Sequence, residues 1–309
     1  MDNRVLLVGW GRSVNYGTNL QTIALYEIIN QKYKCDFLYS RKYCSSKLFV
    51  KKAIKKLRSK IKKEGGVTPE KNRNIDKCYE NIRKINLNSP SDKKIILSKY
   101  NTFVVGSDQV WNPGYLESTY LLDFVPKGYR KISYASSIGV NTIPKKCHKI
   151  YCKYLSDFSY ISMREQQGAK CISKMIRRSV DTVLDPTLLL SSLEWKEICS
   201  KEVNNISSSL PDKYLLCYFV GNMAQHMKEI QDISKEMNLK IVVLPIIEQE
   251  TRLSEGVVIN NAGPKEFVAA VNGATMVCTD SFHMCAFSLN FQKEFWVFKR
   301  FNDNSSSSQ

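Results

Sequence analysis

The chain has 309 residues, 43% hydrophobic and 11% aromatic, which excludes an intrinsically disordered protein and is long enough for two domains with separate cores. Its formal net charge is +17, from 46 Lys and Arg against 29 Asp and Glu. No apolar run approaches the roughly 20 residues of a membrane-spanning helix, and Met1-Asp2-Asn3-Arg4 is too quickly polar for a signal peptide, so a cytoplasmic chain is expected.

In chain order, Arg4–Val8 reads as a buried strand and Asn19–Gln31 as a helix with Leu20, Ile23, Ala24 and Ile28 on one face. Cys35–Tyr39 is a short strand. A long polar insertion, about 45–90, follows it. From Lys47 to Lys63 this insertion carries nine Lys and Arg and no acid, with Val50, Ile54, Leu57 and Ile61 at helical spacing. Such a basic amphipathic helix is either a solvated helix resting its stripe on the domain or a docking face for anionic membrane lipid or a lipid-linked substrate. Nucleic acid is not expected, because no aromatic RNA-stacking motif or zinc finger accompanies the charge.

Further strands are predicted at Thr102–Val105, Lys131–Ala135, Tyr160–Ser162 and Thr182–Leu184, with helices over Pro144–Phe158 and Glu165–Ile176. The polar stretch 204–211, closed by Pro211, reads as a linker between a domain at 1–203 and a second at 212–309. The second set comprises strands Tyr214–Val220, Lys240–Leu244, Gly256–Ile259, Ala274–Cys278 and Phe295–Phe298, with helices Met223–Met237 and Pro264–Asn272. The repeated β-α-β order predicts an α/β fold of two Rossmann-like, doubly wound parallel-sheet domains facing a cleft. A parallel sheet is covered on both faces. The polar tail 302–309, which follows the last strand with no covering helix, therefore predicts a chain shortened at its C-terminal end.

The ten cysteines form no C-x-x-C pair and no cluster with the three histidines, so reduced thiols are expected and no metal. Gly9-Trp10-Gly11-Arg12-Ser13-Val14 begins like a dinucleotide fingerprint but lacks the third glycine. The second strand also ends without a ribose-binding acid, which argues against a nicotinamide cofactor. Asn15-Tyr16-Gly17-Thr18-Asn19 runs from a glycine-bearing loop into a helix. There, free amides could bind an anion, or Thr18 or Asn19 could simply cap the helix.

Gly106-Ser107-Asp108-Gln109-Val110-Trp111-Asn112 sets polar groups and a tryptophan able to stack on a sugar directly after a buried strand. Ser162-Met163-Arg164-Glu165 places a guanidinium between strand and helix, as an anion clamp or half of an ion pair. In Thr279-Asp280-Ser281-Phe282-His283, an acid, a hydroxyl and an imidazole follow a strand. His283 is either an acid/base group or a buried ring bonded to Asp280.

These segments, with Ser133-Tyr134-Ala135, Leu184-Asp185-Pro186-Thr187 and Gly263-Pro264-Lys265-Glu266-Phe267, resemble the polysaccharide pyruvyl transferase family over about residues 5–300. The basic insertion lies outside the resemblance. It implies a GT-B-like fold and transfer of a pyruvyl group from phosphoenolpyruvate, with no other cofactor, onto a sugar of a surface polysaccharide or lipid-linked precursor. A ketal would be formed, close to the inner face of the cell membrane if residues 47–63 dock there. By the same resemblance His283 and Arg164 are catalytic, as acid/base and anion clamp. The substrate contacts are Asn15, Tyr16, Gly17, Asn19, Ser107, Asp108, Gln109, Asp280 and Ser281. A nucleotide-sugar glycosyltransferase of GT-B type and an inactive sugar- or anion-binding relative are the alternatives. Ser281-Phe282 stands where some members carry Arg-Leu, so by the resemblance one donor-binding cation is either missing or supplied from elsewhere in this chain.

Overall fold

The computed structural model describes residues 4–40, 66–247 and 256–300. The basic run 47–63 and the tail 302–309 lie outside the described residues.

Two all-parallel sheets form the frame. The first has seven strands: β1 (Arg4–Val8), β2 (Lys34–Ser40), β3 (Lys84–Asn86), β4 (Thr102–Val105), β5 (Arg130–Ser136), β6 (Tyr160–Met163) and β7 (Asp181–Thr182). Their spatial order is β3-β2-β1-β4-β5-β6-β7. The second has β8 (Tyr214–Tyr218), β9 (Lys240–Val243), β10 (Gly256–Val258), β11 (Met276–Thr279) and β12 (Glu294–Val297), in the order β10-β9-β8-β11-β12. In both, the order reverses beside the first strand of the set, the arrangement of a doubly wound fold. Central strands are apolar throughout because helices cover both faces: Leu6, Leu7 and Val8, like Leu215, Leu216 and Cys217, are wholly buried.

Helix α1 (Tyr16–Asn30) joins the halves. Every residue from Tyr16 to Tyr26 is buried, as expected for a helix enclosed on all sides. Tyr16, Leu20 and Ala24, spaced by four, enter the core of the second domain, whereas Ile23, Leu25 and Tyr26 pack in the first. The single apolar face expected from sequence is thus two faces serving two cores.

The segment read as a polar insertion contributes real structure from residue 69 onward. Helix α2 (Pro69–Lys77) starts at a Thr68 cap and buries Lys71 and Ile75, one turn apart. Asn74 of α2 donates to the Asn261 carbonyl of the second domain at 2.9 Å. Strand β3 escaped recognition because an edge strand with one apolar residue, Ile85, has no pattern to show. Helix α3 (Pro90–Lys99) begins at a capping box between Ser89 and Asp92.

The first domain continues with α4 (Lys145–Leu155) and α5 (Gln166–Ile176). The expected linker is a further correction. Helix α6 (Ser192–Ser207), opened by a capping box of Ser191 and Glu194, runs through its first four residues. Trp195, Cys199 and Ile206 of α6 pack in the core of the second domain, so the boundary lies before this helix rather than at 203. The second domain is completed by α7 (Met227–Glu236), α8 (Pro264–Gly273) and α9 (Phe282–Asn290). Among the described residues no helix is long and apolar enough to cross a membrane.

Candidate functional site

Strand ends from both sheets deliver the site. Asp108 follows β4, Arg164 follows β6, Asp185 lies three residues past β7, and His283 is the second residue of α9, after β11. Asp185 is the centre. Its Oδ1 accepts from the Thr187 amide at 3.0 Å and the Thr187 hydroxyl at 2.8 Å. Its Oδ2 accepts from Arg164 Nη1 at 3.0 Å and from the Ser107 hydroxyl at 3.4 Å. The Nε2 of His283 stands 3.7 Å from the same oxygen. Arg164 Nη2 reaches Asp108 Oδ1 at 3.4 Å, and the Thr18 hydroxyl donates to the other Asp108 oxygen at 3.0 Å. The guanidinium lies 4.6 Å over the ring centroid of Phe282.

Burial alone would raise the Asp185 carboxyl. The adjoining imidazole, the Arg164 charge and the Thr187 amide outweigh it and hold this group well below the usual carboxylate range. Burial likewise opposes the charge on Arg164, but Asp108 and Asp185 together keep its pKa raised. Asp185 and Arg164 are therefore both ionised at neutral pH.

His283 is 6% exposed, and its Nε2 is buried without a hydrogen-bond partner. At 3.7 Å it faces Asp185 beyond hydrogen-bond distance, as a group that a small approach would engage. Gly17 sets its position. A Cβ there would lie 2.2 Å from His283 Cγ, so only glycine lets the ring rest against the first turn of α1. The N-termini of α1 and α9 thus meet at the imidazole, and α5 begins two residues after Arg164. Three helix N-termini at one locus give it positive potential.

Several expected contacts have other work. Asn15, not Thr18 or Asn19, caps α1 by accepting from the Gly17 amide at 3.0 Å. Asn19 is wholly buried, accepting from the Ser13 amide and the Tyr79 hydroxyl. Tyr16 is wholly buried between the domains, its hydroxyl donating to the Pro245 carbonyl at 3.1 Å. Asp280 does not hold His283. It accepts from the Val220 and Gly221 amides at 2.7 and 2.8 Å and pairs with Arg300, locking the turn that presents α9. Ser281 caps α9.

Trp111 is not a sugar platform, because it is wholly buried with its indole N–H on the Tyr120 carbonyl at 2.8 Å. Arg164 is no open clamp, since two carboxylates and a ring already engage it. Ser107, Asp108, Arg164 and His283 are brought together; Gln109 faces Tyr115 and Asn112 beside them.

The sequence reading missed Asp185 as a functional residue. The signal was available. Leu184-Asp185-Pro186-Thr187 puts a carboxylate after a strand, as at Asp108, with a threonine two residues on to fix it in an Asx turn. Among the described residues no cluster of His, Cys, Asp and Glu could hold a metal ion.

Residues 15–300 match the family described as polysaccharide pyruvyl transferase. No curated protein matches the chain by sequence. Among solved structures, UDP-GlcNAc 2-epimerase from Neisseria meningitidis bound to UDP-GlcNAc is similar with a TM-score of 0.58 at 8% identity, over 97% of this chain and 84% of that one. The S. aureus MnaA–UDP complex gives a TM-score of 0.55 at 12% identity, over 96% and 78%. UDP-GlcNAc 2-epimerase from Methanocaldococcus jannaschii gives 0.53 at 10% identity, over 95% and 82%. At these identities the likeness shows the fold alone, which is GT-B.

Proposed function

Because the chain belongs to the polysaccharide pyruvyl transferase family, we propose that it moves the pyruvyl group of phosphoenolpyruvate onto two hydroxyls of a sugar, forming a ketal on a surface polysaccharide or its lipid-linked precursor. The observation that carries this reading is the meeting of His283 from one domain with Asp185 and Arg164 from the other, in a buried locus ringed by three helix N-termini.

The chemistry asks for what these residues offer. A proton added to C3 of the enol leaves positive charge at C2. A sugar hydroxyl then bonds to C2 and loses its proton, the C2–O bond to phosphate breaks, and the second hydroxyl closes the ketal. Of the two hydroxyl protons, one is balanced by the new methyl group and the other leaves with inorganic phosphate. His283 acts in this reading as the acid/base, with Asp185 stabilising the imidazolium when it forms; such a group contributes about 10²- to 10⁴-fold. Arg164 acts as a positioning residue that fixes both Asp108 and Asp185. The helix N-termini favour an anionic donor, supplying the positive potential that Ser281 does not.

The test is incubation with phosphoenolpyruvate and a panel of sugar acceptors, following phosphate release and the acceptor by NMR. Stoichiometric phosphate with a new ketal methyl signal is expected for at least one acceptor. Consumption of a nucleotide sugar, with no phosphate released from phosphoenolpyruvate by any acceptor, would contradict the reading.

A further inference from the structure

The first sheet reverses its order between β1 and β4. In open α/β sheets, ligands settle in the crevice outside the carboxyl ends of such a strand pair. Two aromatic rings stand at this point. Trp10 lies two residues past β1 and Tyr115 in the loop after β4, with ring centroids 5.4 Å apart and planes tilted by 43°. Trp10 is backed edge-on by Tyr120, which is buried and whose carbonyl holds the Trp111 indole. Tyr115 is 38% exposed and Trp10 half-buried. The pair is therefore fixed from beneath and partly open to solvent.

Gln109 adds a polar edge. Its Oε1 accepts from Asn112 Nδ2 at 3.0 Å and from the Tyr115 hydroxyl. The carboxamide N–H₂ has no hydrogen bond among the described residues and is left available as a donor. The space around it is kept by Gly139, which adopts φ +59° and where a Cβ would lie 2.4 Å from the Gln109 carboxamide. The Tyr115 hydroxyl also feels the site: its pKa is raised first by burial and then by the Asp108 charge, with Arg164 opposing. The Tyr115 hydroxyl is thus within electrostatic reach of Asp108 and Arg164.

We propose that Trp10, Tyr115 and Gln109 form the subsite for the acceptor sugar, with a pyranose ring laid on the aromatic pair and its hydroxyls bonded to the Gln109 amide. The C–H face of a pyranose carries slight positive charge and suits the negative face of an aromatic ring. A carboxamide then selects among hydroxyl orientations at the sugar's edge. The assignment of this sugar as acceptor rests on the pyruvyl-transfer reading; the sugar binding itself does not.

The test uses the full chain without phosphoenolpyruvate. Methyl β-D-glucopyranoside, methyl β-D-galactopyranoside and methyl β-D-mannopyranoside are titrated by saturation-transfer NMR, with UMP as the stacking competitor. Saturable binding through the ring C–H protons is expected for at least one pyranoside. Trp10→Leu, which keeps an apolar side chain but removes the ring, and Tyr115→Leu should each weaken it about tenfold, the order expected for losing one stacked ring. Trp10→Phe should restore most of the affinity, and phosphoenolpyruvate binding should not move in any of the three.

Absence of pyranoside binding, equal binding by wild type and both Leu variants, or ring-dependent binding of UMP alone would each overturn the proposal. Its failure is separable from that of pyruvyl transfer. Ring-dependent pyranoside binding with no phosphate release from phosphoenolpyruvate removes the transfer reading and leaves the subsite. Phosphate release with an acceptor KM unmoved by Trp10→Leu does the reverse.

Discussion

Two buried charged groups lie where the domains meet, and they are accommodated in opposite ways. Around Asp185 each charge faces a partner: Arg164 bridges Asp185 and Asp108, Thr187 and Thr18 fill the remaining carboxylate oxygens, and His283 stands ready to approach. Lys71, also wholly buried, has among the described residues no carboxylate at all. Its ammonium is held by the Tyr16 hydroxyl at 2.8 Å and the Pro245 carbonyl at 2.5 Å, over the Tyr16 ring. Burial accordingly lowers its pKa to about 7. Arg164 and Asp185 keep their charges at neutral pH, whereas Lys71 titrates there. Both hang on the first turn of α1: Tyr16 bonds to Lys71, Gly17 seats His283, and Thr18 holds Asp108.

The contrast is most strongly tested by breaking the paired cluster. Asp185→Ala takes from the buried Arg164 the nearer of its two carboxylates, leaving only Asp108 at 3.4 Å, and loss of one partner of a buried pair costs about 3–5 kcal/mol. Denaturant unfolding should show a loss of that order; a loss under about 1 kcal/mol would mean that the pair does not hold the site. The pH dependence has a definite sign. Because the folded-state pKa of Asp185 is depressed, its stabilisation is complete above the unfolded carboxyl value of about 3.9 and fades as pH falls below it.

Lys71 should give the same sign in a higher pH window. Its folded pKa is lowered, so between pH 7 and its unfolded value of about 10.4 the unfolded chain binds the extra proton and stability rises with pH. The slope contributed is up to about 1.4 kcal/mol per pH unit. Lys71→Met should remove that slope, read as the difference between wild-type and variant unfolding free energies across this window. Parallel pH profiles for the two proteins would show that Lys71 keeps its proton when folded.

The smallest effect is expected at Phe282, whose ring covers Arg164. Phe282→Ala should destabilise by about 1 kcal/mol, the scale of a partly desolvated cation–π contact. A loss as large as that of Asp185→Ala would shift the weight of the cluster from its carboxylates to this ring.

The sheets were legible because buried parallel strands are written as short, continuous apolar runs, as in Val5–Val8 and Tyr214–Tyr218. Helix α2 was not, since Pro69–Lys77 is polar almost throughout and its buried face consists of Lys71 and Ile75. Nothing local distinguishes a lysine that will be enclosed by a second domain from one left in water. The site shows the same divide. Polar groups after strands marked Asp108, Arg164 and His283, and Asp280 entered only as the partner of His283 in the alternative to an acid/base role. The actual facing carboxylate, Asp185, comes from the other domain. Local pattern gives the groups at a strand end; which of them meet is decided by how two sheets pack across α1.

The central claim is that His283, held against Asp185 by Gly17, moves protons in pyruvyl transfer. It is tested most directly by the rate of phosphate release from phosphoenolpyruvate with a turned-over acceptor, in wild type and His283→Ala, alongside phosphoenolpyruvate affinity. The expected result is a fall in kcat of about 10²- to 10⁴-fold with donor binding largely kept. A variant that retains kcat to within about threefold would place the acid/base elsewhere and contradict the account.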